Sequence, residues 1–95
     1  MPAYIVAEIQ VTDPTAYEGY RPLAAASVAR YGGRFAVRGG NIDLLEGEPE
    51  PERIVVIEFP DVDAARRWYR SEEYQKALKI RQSASRGRVF LVEGA

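Results

Sequence analysis

Ninety-five residues, 46% hydrophobic and 28% charged, make one ordinary globular domain over 1–95, too short for two cores and too apolar for disorder. A net charge of −1 argues against a nucleic-acid partner, and no apolar run approaches the roughly 20 residues of a membrane helix. With neither cysteine nor histidine there is no disulfide, thiolate, imidazole base or usual zinc or haem ligand, so no metal or cofactor is expected.

Along the chain, "AYIVAEIQV" (3–11) alternates as a strand, with Ile5, Ala7, Ile9 and Val11 facing one way and Tyr4, Val6, Glu8 and Gln10 the other. It follows Met1-Pro2 without a basic or apolar leader, which predicts a cytoplasmic protein. Asp13 is a helix N-cap and Pro14 the first helical residue, where a missing N–H costs nothing. Tyr17, Tyr20, Ala24, Val28 and Tyr31 form the buried stripe of that helix, and Pro22 within it predicts a kink or restart.

The next stretch, "RYGGRFAVRGG" (30–40), has the glycine density of a phosphate-binding loop but the wrong order. Such loops run from strand into helix; here a helix ends at Tyr31 and a strand begins at Arg34. Gly32-Gly33 therefore predicts a helix C-cap, with positive φ at one of the two. Gly39-Gly40 predicts a bulge or bend in an edge strand that resumes with "NIDLLEG". "EGEPEPE" (46–52) is an exposed acidic connection, and "RIVVIEF" (53–59), apolar on both faces, a central strand. Pro60-Asp61 ends it and caps the helix "VDAARRWYR". Ser71 opens a second helix carrying Tyr74, Ala77, Leu78 and Ala84 inward, and "GRVFLVEG" (87–94) is the last strand.

The order β-α-β-β-α-β is that of an α+β, ferredoxin-like domain: a four-stranded antiparallel sheet with helices on one face. The other face is apolar too, since Tyr4, Val6, Ile54, Val56, Phe90 and Val92 oppose the Ile5, Ile57 and Leu91 set. Nothing in the chain remains to cover it, which predicts a homodimer packed sheet to sheet.

The combination of "YIVAEIQVTDPTAYEGY", "YGGRFAVRGG", "LEG", "VVIEFP", "WYRSEEYQ" and "LVEG", in that order over residues 3–94, resembles the small bacterial domain-of-unknown-function family 1330. That family lies within the dimeric α+β barrel superfamily. The resemblance implies a ferredoxin-like protomer and a face-to-face dimer closing a barrel; it implies no particular activity. Relatives in the superfamily include cofactor-independent monooxygenases, lactone isomerases and haem enzymes, the last a poor match for a chain without histidine.

Two sets of residues are candidates for chemistry. Glu8 and Glu58 fall near the C-terminal ends of neighbouring strands, on an apolar face. Such carboxylates form an acid/base pair or are neutralised by arginines, with Arg34, Arg38 and Arg88 as nearby candidates, and the ion-pair reading is preferred because buried charges need partners. The second set is a pocket of Tyr17, Trp68, Tyr69, Ser71 and Tyr74 between helices and sheet, with Arg38, Asn41 or Arg81 at its mouth, fit for a planar or acidic small molecule. Core packing of the rings and helix capping by Ser71 are the plain alternatives. Arg38, beside the glycine bend, is the residue chosen as ligand anchor; pairing with Glu58, Glu8 or the acidic loop is its alternative. These observations predict a small-molecule-binding barrel, whose enzymatic form is a cofactor-independent monooxygenase or isomerase on an aromatic, quinonoid or keto-acid compound. The alternative is a non-catalytic homodimer. A solvent-connected cavity of roughly 300 Å³ or more with an arginine at its rim would favour the first.

Overall fold

A computed structural model describes residues 1–95. The elements run β1 (Ala3–Val11), α1 (Pro14–Glu18), α2 (Tyr20–Arg30), β2 (Arg34–Arg38), β3 (Arg53–Phe59), α3 (Val62–Arg70), α4 (Glu72–Ala84) and β4 (Ser85–Glu93). They build one sheet in the order β2-β3-β1-β4, antiparallel at every pairing, with the helices on one face. This is the ferredoxin-like α+β fold.

Local chemistry accounts for most boundaries. The Asp13 carboxylate accepts from the Ala16 N–H (3.1 Å) and the Asp61 carboxylate from the Ala64 N–H (2.7 Å), each satisfying a donor that the first helical turn leaves free. Ser71 works in both directions, accepting from the Tyr74 N–H (3.1 Å) and donating to the Trp68 carbonyl (2.7 Å), so it joins α3 to α4. The first helical segment does restart, at Gly19 rather than at Pro22. Pro22 lacks the N–H that would reach the carbonyl of Glu18, so the ladder is already broken where α1 ends.

At the far end of α2, Gly32 has φ +80°. The Gly33 N–H bonds the Val28 carbonyl (2.9 Å) and the Gly32 N–H that of Ala29 (3.2 Å), the crossed pair that closes a helix with a left-handed residue. A Cβ on Gly33 would lie 2.7 Å from the Phe59 ring, so the second glycine is needed for space.

Two expectations for the following stretch are corrected. The bulge in β2 lies between Phe35 and Val37, not at Gly39-Gly40. "NIDLLEG" does not continue the strand: residues 39–52 form a loop. Gly39, at φ +71°, turns the edge strand away from β3 just after its N–H bonds the Ile54 carbonyl (3.0 Å). The last strand also begins two residues early, at Ser85.

The core fills the space between helices and sheet. Ile5, Ile57, Phe59, Val28, Ala65, Trp68, Tyr74 and Leu78 form its main cluster. A buried polar link within it is satisfied, the Trp68 Nε1–H donating to Ser27 Oγ (3.0 Å), which donates to the Ala24 carbonyl (2.8 Å).

The opposite face carries a row that crosses all four strands, Val37–Val56–Val6–Phe90, with Phe90 39% and Val37 41% exposed. An ion pair flanks each side: Arg34–Glu58 at 2.7 Å and Arg88–Glu8 at 2.9 Å. No helix of the chain is long and apolar enough to cross a membrane.

Candidate functional site

A cavity lies between the helices and the inner face of the sheet. Its floor is Ile5, Ala7, Ile9, Val55, Ile57 and Val89; its aromatic wall is Tyr17, Tyr20, Phe35, Trp68 and Tyr74. Four arginines, Arg21, Arg38, Arg53 and Arg81, also line it, and no carboxylate does. It encloses about 30 Å³, room for one or two waters and well short of the roughly 300 Å³ that would by itself have favoured the small-molecule reading.

Each arginine arrives by a separate route. Arg81 is one turn beyond Leu78 on α4 and only 8% exposed. Arg53 begins β3 on the parity of Val55 and Ile57, opposite Ile9, and so faces the helices. Its guanidinium lies where a Cβ on Gly39 would have to sit, which gives that glycine a packing role besides its backbone one. Arg21 follows Tyr17 by four residues along the inner stripe.

Arg38 depends on the bulge. In an unbroken register Arg38 would oppose Ile54 on the open face with Arg34. The extra residue at Ala36 sets it opposite Val55 instead, on the cavity side, with its guanidinium 4.3 Å from the Phe35 ring centre. Arg38 and Arg21 are exposed at the rim, Arg53 is half-buried, and Arg81 is buried.

None of the four makes an ion pair; the salt bridges are Arg30–Glu73, Arg34–Glu58 and Arg88–Glu8. The Nε atoms of Arg53 and Arg81 are buried without a hydrogen-bond partner. Beside them the Tyr20 and Tyr74 hydroxyls share a hydrogen bond of 2.9 Å. Burial pushes the Tyr20 hydroxyl well above the ordinary tyrosine range, and neighbouring Tyr74 raises it further against the opposing pull of Arg81. Tyr20 is thus a neutral hydroxyl that donates or accepts a hydrogen bond, not a base.

The structure brings together Tyr17, Trp68, Tyr74, Arg38 and Arg81 from the sequence-derived set. Asn41 lies in the exposed loop, and Ser71 is the α4 cap, away from the cavity. Tyr69 packs on the Trp68 and Tyr74 rings from outside.

Glu8 and Glu58 are also elsewhere, each paired with an arginine on the open face. They are not neighbours as expected: antiparallel strands have their C-termini at opposite ends. Glu58 stands opposite Tyr4, four residues from Glu8 along β1, or about 13 Å at strand spacing. Arg21 and Arg53 were missed, although alternation marks Arg53 and helical spacing marks Arg21.

The family model described as Domain of unknown function (DUF1330) matches residues 2–95. The chain belongs to this family. No curated protein matches it. Among solved structures, this DUF1330 chain is similar to a protein of unknown function from Rhodopseudomonas palustris, with TM-score 0.81 and 20% identity over 99% of this chain and 82% of that one. It is also similar to SnoaB, a cofactor-independent oxygenase from Streptomyces nogalater, with TM-score 0.73 and 20% identity over 99% and 93%. A third is a dimeric ferredoxin-like protein of unknown function from a Jannaschia species, with TM-score 0.76 and 13% identity over 99% and 100%. At these identities the DUF1330 chain shares their fold.

Proposed function

We propose that this DUF1330 protein is a homodimer that binds an anionic small molecule, aromatic, quinonoid or keto-acid in character, in the cavity of each protomer. One observation carries this reading: Arg81, a residue only 8% exposed whose Nε is buried and unpartnered, in a cavity lined by rings and by no carboxylate. A buried charge without a counter-charge is expensive, and a ligand carboxylate or enolate would supply the missing partner. Ligand entry requires the cavity to widen, and Arg21 and Arg38 at its rim are exposed and unpaired, so their displacement breaks no ion pair.

The homodimer rests on the Val37–Val56–Val6–Phe90 row, an apolar band that a second copy would cover with its own, and on the dimeric Jannaschia protein of the same fold. The likeness to SnoaB, a cofactor-independent oxygenase, supports conversion of the ligand without a cofactor. Binding without turnover has its own support: no carboxylate or histidine lines the cavity, and Tyr20 stays neutral.

The test is a thermal-shift screen of aromatic acids, quinones and keto acids, with hits repeated on Arg81→Met. Anionic hits that vanish in the variant support the reading, whereas hits that survive it, or are all uncharged, overturn it.

A further inference from the structure

We infer that the ligand of this cavity is a dianion on a planar apolar frame; the inference rests on the anion-binding reading above and narrows it. A single carboxylate would satisfy Arg81 and leave the second buried orphan, Arg53 Nε, without a partner. The two come from different layers. Arg81 projects from α4, in the helices, while Arg53 rises from the start of β3, in the sheet. The wall between them is aromatic: Arg53 lies 5.9 Å from the Tyr17 ring centre, the Tyr17 and Tyr20 rings are 5.3 Å apart, and the Tyr20 hydroxyl meets that of Tyr74, on α4 with Arg81, at 2.9 Å. A planar frame fits such a wall, with one anionic group offered to each layer.

Charge balance points the same way. Arg21 and Arg38 at the rim bring the lining to four guanidinium groups, unopposed by any carboxylate. A monoanion entering this space leaves most of that charge uncompensated, whereas every additional negative charge gains from it. The fold also maintains Arg53 in place: Gly39 keeps open the space its guanidinium fills, and the β2 bulge turns Arg38 toward the same cavity. The shared chemistry, two negative charges on a flat apolar body, is met by an aromatic dicarboxylate or by an aryl phosphate. The two-layer placement favours the dicarboxylate.

The experiment is calorimetric titration of the intact protein, at fixed ionic strength, with benzoate, isophthalate, terephthalate and phenyl phosphate. The proposal expects the dianions to bind roughly tenfold or more tightly than benzoate, the scale of one added charged hydrogen bond. Arg53→Met should abolish that preference and leave benzoate affinity within about threefold, while Arg53→Lys, which keeps the charge, should retain most of it. Preference for a dicarboxylate assigns one anionic group to each layer; preference for phenyl phosphate assigns both charges to one group, and either upholds the dianion. Equal affinity for benzoate and the dianions, or equal weakening of both by Arg53→Met, overturns the inference and leaves the anion-binding reading standing. Absence of any anion binding, or binding indifferent to Arg81→Met, overturns both.

Discussion

Replacing Arg81 with methionine should make the ligand-free protein more stable. The residue is 8% exposed, lacks any ion pair and has a buried, unpartnered Nε. The polar contact near it, Ser85 Oγ donating to the Arg81 carbonyl (2.6 Å), belongs to the backbone and survives the substitution. Methionine replaces the apolar stem with a flexible side chain of similar reach and removes the charge with its unpartnered Nε. Exchanging buried charge for well-packed apolar groups has stabilised other proteins by about 1–4 kcal/mol, and we expect the lower half of that range here. For a domain of this length each kcal/mol raises the melting temperature by roughly 4–8 °C. The assay is urea denaturation of both proteins at one subunit concentration, since the proposed dimer would make stability concentration-dependent. A loss of more than about 1 kcal/mol in Arg81→Met would mean that the guanidinium is satisfied within the fold, and the reasoning would fail.

Arg38→Gln should leave stability within about 0.5 kcal/mol, because Arg38 is exposed and has no carboxylate partner, while weakening any anionic ligand; a drop of the size that follows a stranded buried charge, about 3–5 kcal/mol, would refute this. Val56→Glu places a charge in the middle of the apolar row and should dissociate the proposed dimer, whose interface should exceed about 1,000 Å²; sedimentation of wild type as a stable monomer at micromolar concentration would retire the dimer. Gly32→Ala should lose on the order of 1 kcal/mol on chemical denaturation, since its φ of +80° is strained for any L side chain, and unchanged stability would contradict the cap. Tyr20, raised above the ordinary 10.0, stabilises the fold fully below that pH; stability should fall as pH rises beyond it, because only the unfolded chain then releases the proton. Tyr20→Phe should flatten that alkaline loss, and equal slopes in the two proteins would count against the buried, neutral hydroxyl.

Much of the fold is legible locally because its signals are short-range. The Asp13, Asp61 and Ser71 caps act within three residues, and the period of two along "AYIVAEIQV" is a property of the strand itself. Gly32 is recognisable because helix termination demands a conformation few other residues adopt. The loop at "NIDLLEG" was not legible: Ile42 and Leu44 have strand-like spacing, but a strand forms only where a neighbour supplies hydrogen bonds, and β3 is already left behind at Gly39.

The sequence by itself determined the order of elements, the two-faced sheet and the absence of histidine and cysteine chemistry, because composition and periodicity need no knowledge of neighbours. Which charged residues meet was decided by tertiary structure. Antiparallel pairing sent Glu8 and Glu58 to opposite ends of one face, each to its own arginine. One extra residue in β2 carried Arg38 through the sheet to the other face. The physical reason is register. A side chain's face alternates with every residue, so a shift of one reverses it, and that shift is set by hydrogen bonds to another strand.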